Sequence, residues 1–106
     1  MLSIVELPEF VRRVDKLLGE SERQSLISYV AEFPKSGVIM RGTGGIRKLR
    51  WAREGGGIRV VYYFHNEQIP LYLLTVFGKG EKSNLSPSER KELAGLVKLL
   101  IKSAGL

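Results

Sequence analysis

The chain contains no cysteine, which excludes disulfide scaffolds, thiolate metal centres and cysteine nucleophiles together. Its single histidine, His65, is too little for a histidine-based metal site and falls where a turn is expected, so it reads as a turn residue. No apolar run approaches the ~18–20 residues of a membrane span. The opening MLSIVELPEF lacks the basic and long apolar regions of a signal peptide. Internal repeats and low-complexity linkers are also missing. What remains, 43% hydrophobic and 26% charged residues in a length of 106, is the composition of an ordinary globular protein. That length suits one domain spanning residues 1–106 with a single modest core. The expectation is a small cytoplasmic domain that needs no cofactor, metal or membrane.

Acidic charge is scarce, and unevenly so. Seventeen Lys and Arg face eleven Asp and Glu, for a net charge of +6. Residues 1–40 hold five basic and six acidic side chains, a net of −1. Residues 41–82 hold eight and three, a net of +5, and residues 83–106 hold four and two, a net of +2. An excess gathered on one segment is the electrostatic footprint of a polyanion partner.

Periodicity organises the chain around that segment. LSIVEL (2–7) reads as a short strand stopped by Pro8. Phe10, Val11, Val14, Leu17 and Leu18 follow helical spacing, with Gly19 as a C-cap. Ser21 and Gln24 have capping-box form and open a second helix with Leu26, Ile27, Val30 and Ala31 on one face, running to Phe33 before Pro34. Residues 46–52, 58–65 and 69–77 are rich in Val, Ile, Leu, Tyr and Phe and predict three strands, the last two joined by a short hairpin. Ser86-Pro87-Ser88-Glu89 combines a capping box with proline at the first helical position, and Leu93, Leu96, Val97, Leu100 and Ile101 form the apolar stripe of a final helix. The predicted class is α+β, ordered β-α-α-β-β-β-α, an antiparallel sheet with its helices packed on one face.

Period-two alternation assigns the faces. Lys48 and Arg50 share one side of the first long strand, and Leu49 and Trp51 the other. Arg59, Val61 and Tyr63 share a side of the next, opposite Val60, Tyr62 and Phe64. With apolar residues turned to the helices, Lys48, Arg50, Arg59 and Tyr63 form a basic, tyrosine-bearing platform suited to RNA. Arg47 points to the opposite side. Trp51, Tyr62 and Phe64 read as core, and a solvated strand face remains an alternative for residues 47–50. Gly42–Gly45 followed by Lys48 lacks phosphate-loop spacing and a following helix, which excludes that mode of nucleotide binding. The glycines at 55–57 read as a plain hairpin loop.

At GTGGIRKLRWA (42–52), IRVVYYF (58–64), YLLTVFGKGEKSNL (72–85) and the Ser-x-x-Glu start of the terminal helix, the chain resembles the RelE superfamily of bacterial type II toxins, in particular its HigB-like branch. The resemblance covers most of the chain and is strongest from 42 to 92. It implies a ribosome-dependent endoribonuclease that cuts mRNA in the ribosomal A site. It also implies a cognate antitoxin, often a helix-turn-helix protein. Catalytic residues are placed on Lys48, Arg50, Arg59 and Lys79, with Arg47, Arg53, Tyr63 and Lys82 as further RNA contacts. In this scheme the 2′-OH attacks the adjacent phosphate. Arg50 and Arg59 grip phosphate oxygens bidentately, Lys48 acts as general base, and Lys79 stabilises charge or protonates the leaving oxygen. Tyr63 stacks on a base. The chain departs from the family pattern at Gly80, where RelE carries arginine, and at Phe77, where many relatives carry tyrosine. Two other functions suit the same fold: a ParE-like inhibitor of DNA gyrase, and a non-catalytic RNA- or ribosome-binding module.

Overall fold

Proline at the first helical position starts the first helix without sacrificing a hydrogen bond, because the amide it lacks has no partner within the helix. That helix, α1 (Pro8–Leu17), follows a three-residue strand β1 (Ile4–Glu6) and fully buries Phe10 and Val14, one turn apart. The computed structural model describes residues 2–51, 57–78, 80–82 and 84–105. Beyond α1 run α2 (Glu20–Glu32), β2 (Val38–Ile39), β3 (Arg47–Trp51), β4 (Ile58–Tyr63), β5 (Leu71–Gly78) and α3 (Pro87–Ser103). No helix among the described residues is long and apolar enough to cross a membrane.

The five strands form one sheet in the order β1-β5-β4-β3-β2. β2–β3, β3–β4 and β4–β5 pair antiparallel, whereas β1 pairs parallel with β5. The class is α+β as expected, but the sheet is mixed instead of antiparallel. The helices also do not share a face. α1 and α2 cover one side of the sheet, over Leu49, Val60, Tyr62, Leu71, Leu73 and Val76. α3 covers the other, where Val97 packs with Val61, Tyr63, Tyr72, Leu74 and Phe77. The reason lies in β5, whose eight residues are all buried. A strand apolar on both sides needs cover on both sides, and each large side chain so buried contributes roughly 1.5–3 kcal/mol.

Two local expectations also change. Ser21 and Gln24 form no capping box: α2 starts after Gly19, an N-cap with extended backbone (φ −74°) and no side-chain cap, and Gln24 donates to Glu20 instead. The two-residue β2 has too little pattern to be read from sequence. The α3 capping box is present as expected, the Ser86 side chain accepting from the Glu89 amide and Glu89 accepting from that of Ser86.

The connection from α2 into β2 is fastened by a clasp. Tyr62 Oη accepts from the Gly37 amide (2.8 Å) and donates to the Pro34 carbonyl (2.9 Å). The Arg47 guanidinium donates to the carbonyls of Lys35 (3.2 Å) and Gly37 (2.8 Å). A Cβ on Gly37 would lie 2.8 Å from Tyr62 Oη, so only glycine fits. The β2–β3 turn is similarly set. Buried Thr43 donates from Oγ1 to the Met40 carbonyl (2.6 Å) and accepts from the Ile46 amide (3.1 Å).

Candidate nucleic-acid interface

The β3–β4 register decides which cations meet. Lys48 lies opposite Val61, Arg50 opposite Arg59, and Trp51 opposite Ile58. Alternation then turns Lys48, Arg50 and Arg59 to the α3 side of the sheet, and Leu49 and Trp51 to the α1–α2 side. On the α3 side, the apolar cluster under the helix is built from β4, β5 and the segment around Met40 and Ile46, with no side chain of β3. The outer row of β3 is therefore left uncovered. Lys48, Arg50 and Arg59 line an open cleft of about 430 Å³ there, walled by Ser36 and Val38.

Two arginines directly opposite on neighbouring strands are an unfavourable pair, because like charges on adjacent Cβ atoms repel. No ion pair among the described residues relieves them: those pairs are Arg12–Glu9, Arg13–Glu81, Arg23–Glu6, Arg23–Asp15 and Lys82–Glu89, and none involves Lys48, Arg50 or Arg59. Arg59 is half-buried, and its Nη1 is shielded from solvent with no hydrogen-bond partner among the described residues. A Cβ on Gly57 would come within 3.4 Å of that nitrogen. Lys48 Nζ donates to Asn84 Oδ1 (3.2 Å), which also accepts from the Leu85 amide (2.9 Å). The segment after β5 thus reaches back over the first cation of the row. Buried, unsatisfied donors and unrelieved like charge are both costly, and an anion seated in the cleft removes both costs.

The remaining candidates are dispersed. Arg47 lies on the α1–α2 side and is occupied by the clasp carbonyls. Tyr63 is a correction: it is only 6% exposed, packed with Met40, Ile46 and Val61, with its hydroxyl 2.9 Å from His65 Nδ1. The cover of α3 and the β2–β3 turn, which period-two reasoning could not anticipate, removes its ring from the platform. Burial pushes its phenol above the usual range. Lys82 is held in an ion pair with Glu89 and lies 5.2 Å from the centre of the Phe77 ring, and Phe77 is the residue paired with Arg59 across β4 and β5. Phe77 itself is core, 1% exposed. Arg53 and Lys79 lie outside the described residues.

Sequence reasoning missed Asn84, whose role depends on a loop crossing the sheet. It also missed a group of partly exposed rings on the α1–α2 side, where Tyr29 lies 5.1 Å from Phe33 and 5.5 Å from Trp51. Helical spacing alone assigns α2 an apolar stripe at 26, 27, 30 and 31 and gives no sign that Tyr29 and Phe33, 37% and 48% exposed, gather at the β3 edge. Among the described residues, no three His, Asp or Glu side chains converge in a way that could hold a metal ion.

Chemically, the cleft offers two permanent planar cations side by side and one amine held by an amide oxygen. That arrangement can chelate phosphate oxygens from two directions and offset charge building on phosphorus. No family model matches the chain.

Proposed function

We propose that this protein is a RelE-like toxin of the HigB-like branch, a ribosome-dependent endoribonuclease that cleaves translated mRNA in the A site. The observation that carries the reading is the Arg50–Arg59 pair, two opposed cations on a sheet face with Lys48 beside them and no carboxylate partner among the described residues.

In the proposed reaction the 2′-oxygen attacks phosphorus as the bond to the 5′-oxygen breaks, leaving a cyclic phosphate and a free 5′-hydroxyl. Arg50 and Arg59 bind the non-bridging oxygens, hold the phosphate for in-line attack and stabilise the added negative charge. Lys48, positioned by Asn84, accepts the 2′-proton. Lys79 is proposed to assist the leaving oxygen; it lies outside the described residues. No cofactor takes part, and the site of action is the cytoplasm. The partners are mRNA, ribosomal RNA and a cognate antitoxin with a helix-turn-helix domain. A cleft of about 360 Å³ between α1, β5 and α3, floored by Leu74, Leu85 and Leu93, suits that antitoxin.

The test is induction in growing bacteria with mapping of mRNA 5′ ends, beside the Arg50→Ala/Arg59→Ala double variant. New ends in codon register, absent with the variant, are expected. Growth arrest with intact mRNA would transfer the reading to a ParE-like gyrase inhibitor, and neither arrest nor cleavage to a non-catalytic RNA- or ribosome-binding module.

A further inference from the structure

The rings beside β3 stand on the opposite side of the sheet from the cation row, yet the two surfaces adjoin. Arg50 and Trp51 are consecutive residues, so their side chains leave β3 in opposite directions from neighbouring points. β2 pairs only with Arg47 and Lys48, which leaves residues 49–51 of β3 at the edge of the sheet among the described residues. The cation cleft reaches that edge, since Leu49, whose side chain packs on the α1–α2 side, also lines it. A chain held by Arg50 and Arg59 can therefore turn round the edge and arrive at Trp51.

There it meets a shallow groove of about 670 Å³ between Trp51 and α2, where Ser28, Tyr29 and Glu32 line the helix side. Aromatic rings carry the most apolar area of any side chain and are expected in the core. Here Tyr29 and Phe33 are exposed and Trp51 is only half-buried. Glu32 is exposed and belongs to no ion pair among the described residues. Among those residues no lysine or arginine lines the groove. In a chain of net charge +6, uncovered rings therefore share a groove with a carboxylate that has no cation.

That combination suits one base and not a backbone. Glu32 repels phosphate and no cation there attracts it, whereas a flat uncharged ring can stack on the exposed aromatics. An ionised carboxylate only accepts hydrogen bonds, so it favours a base edge that donates twice. Guanine presents N1–H and its 2-amino group side by side on the Watson–Crick edge. Adenine, cytosine and uracil each place an acceptor beside their donor there.

We infer that the groove between α2 and Trp51 reads a guanine in the RNA strand whose neighbouring phosphate lies between Arg50 and Arg59. Its ring stacks on the aromatic cluster, and N1 and the 2-amino group donate to Glu32. The choice of an RNA strand rests on the nuclease reading, and the choice of guanine on the groove alone.

Trp51 is the only tryptophan of the chain, so its fluorescence reports directly on this groove. The test titrates the protein with short 2′-O-methyl oligouridines, which cannot be cleaved, carrying guanosine, inosine, adenosine or uridine at the central position. Fluorescence and the anisotropy of a 5′-labelled strand are followed together. The guanosine strand is expected to quench Trp51 and to bind roughly tenfold more tightly than the uridine strand. Inosine, which lacks the 2-amino group, should fall between guanosine and adenosine. Glu32→Gln is expected to bind the guanosine and adenosine strands alike, and Tyr29→Ala to lose most of the guanosine advantage. Both positions are exposed, so their melting temperatures should stay near that of wild type. Arg50→Ala/Arg59→Ala should weaken every strand yet keep the order of bases. Guanosine monophosphate alone should fail to quench at concentrations where the guanosine strand saturates.

Equal affinity for all four strands would overturn the inference, as would a guanosine preference that survives Glu32→Gln, or full quenching by the mononucleotide. A Trp51 spectrum indifferent to every strand would also overturn it and assign the rings to a protein segment. A Glu32-dependent guanosine preference without mRNA cleavage in cells would sustain the groove and reject the nuclease. Cleavage in cells with no such preference would do the reverse.

Discussion

Removing one arginine from the β3–β4 cleft is expected to make the fold more stable while it impairs RNA cleavage. Arg50 and Arg59 are directly opposite each other, which places their Cβ atoms about 4.5–5.5 Å apart. With the two charges taken about 6 Å apart in water, Coulomb's law gives a repulsion of about 0.7 kcal/mol, rising toward ~2.8 kcal/mol at an effective dielectric of ~20. Arg50 is exposed, so the lower value applies. Arg50→Gln keeps most of the aliphatic stem and removes the charge. It is expected to raise unfolding free energy by about 0.5–1 kcal/mol at low ionic strength, or roughly 3–6 °C in Tm. At 1 M salt, where the screening length is ~3 Å, the gain should nearly vanish. Arg50→Glu, which exchanges repulsion for a cross-strand ion pair with Arg59, should gain more and show the same salt dependence. Thermal and urea unfolding at the two salt concentrations measure both effects. A loss of stability in Arg50→Gln at low salt, or a gain indifferent to salt, would refute the reasoning that the two charges, which have no ion-pair partner among the described residues, repel each other. The expected trade-off is the mark of a functional site, in which charge is held at a cost that the ligand removes.

Two other predictions concern the frame that holds the clefts. Tyr62→Phe leaves the Gly37 amide and the Pro34 carbonyl without their side-chain partner and should cost about 1–3 kcal/mol in urea unfolding. Gly37 is buried, so water cannot restore the bond freely. The Lys82 ammonium, helped by the Ser86 amide, holds the Glu89 carboxyl down to about 2, whereas an unfolded glutamate titrates near ~4.3. A depressed folded value means the contribution is complete above the unfolded value and is lost as pH falls from about 4.5 toward 2. Because the Glu89 side chain is 39% exposed, screening limits the effect to ~1 kcal/mol or less. Glu89→Gln should flatten stability against pH in that window, and an unaltered acid profile would show that the pair contributes nothing.

Much of the frame was legible without coordinates, and for local reasons. The Ser86–Glu89 box marks a helix start through its own backbone chemistry, so α3 begins where expected, whereas Pro8, which the pattern reads only as a strand stop, is itself the first residue of α1. The alternation of 47–51 against 58–63 separates Lys48, Arg50 and Arg59 from Leu49, Trp51 and Val60, because successive side chains on a strand must point to opposite sides. The Arg47 reading also followed from alternation alone. Ser21 misled because a capping pattern four residues long recurs by chance, and the preceding Gly19 can end one helix or begin the next.

Tertiary structure decided the rest. The sequence by itself determined which cations share a strand face, since that depends only on the parity of neighbouring positions. Whether that face is open depends on where α3 lands, and nothing within α3 encodes its partner surface. Its apolar stripe would pack equally well on either side of a sheet whose central strand is apolar on both. By settling over β4 and β5, α3 buried Tyr63, left Lys48 and Arg50 of β3 and Arg59 of β4 outside its own cover, and brought Arg90, Lys91 and Lys98 beside Arg41. Those contacts join residues some fifty positions apart in the chain, and only packing in three dimensions selects them.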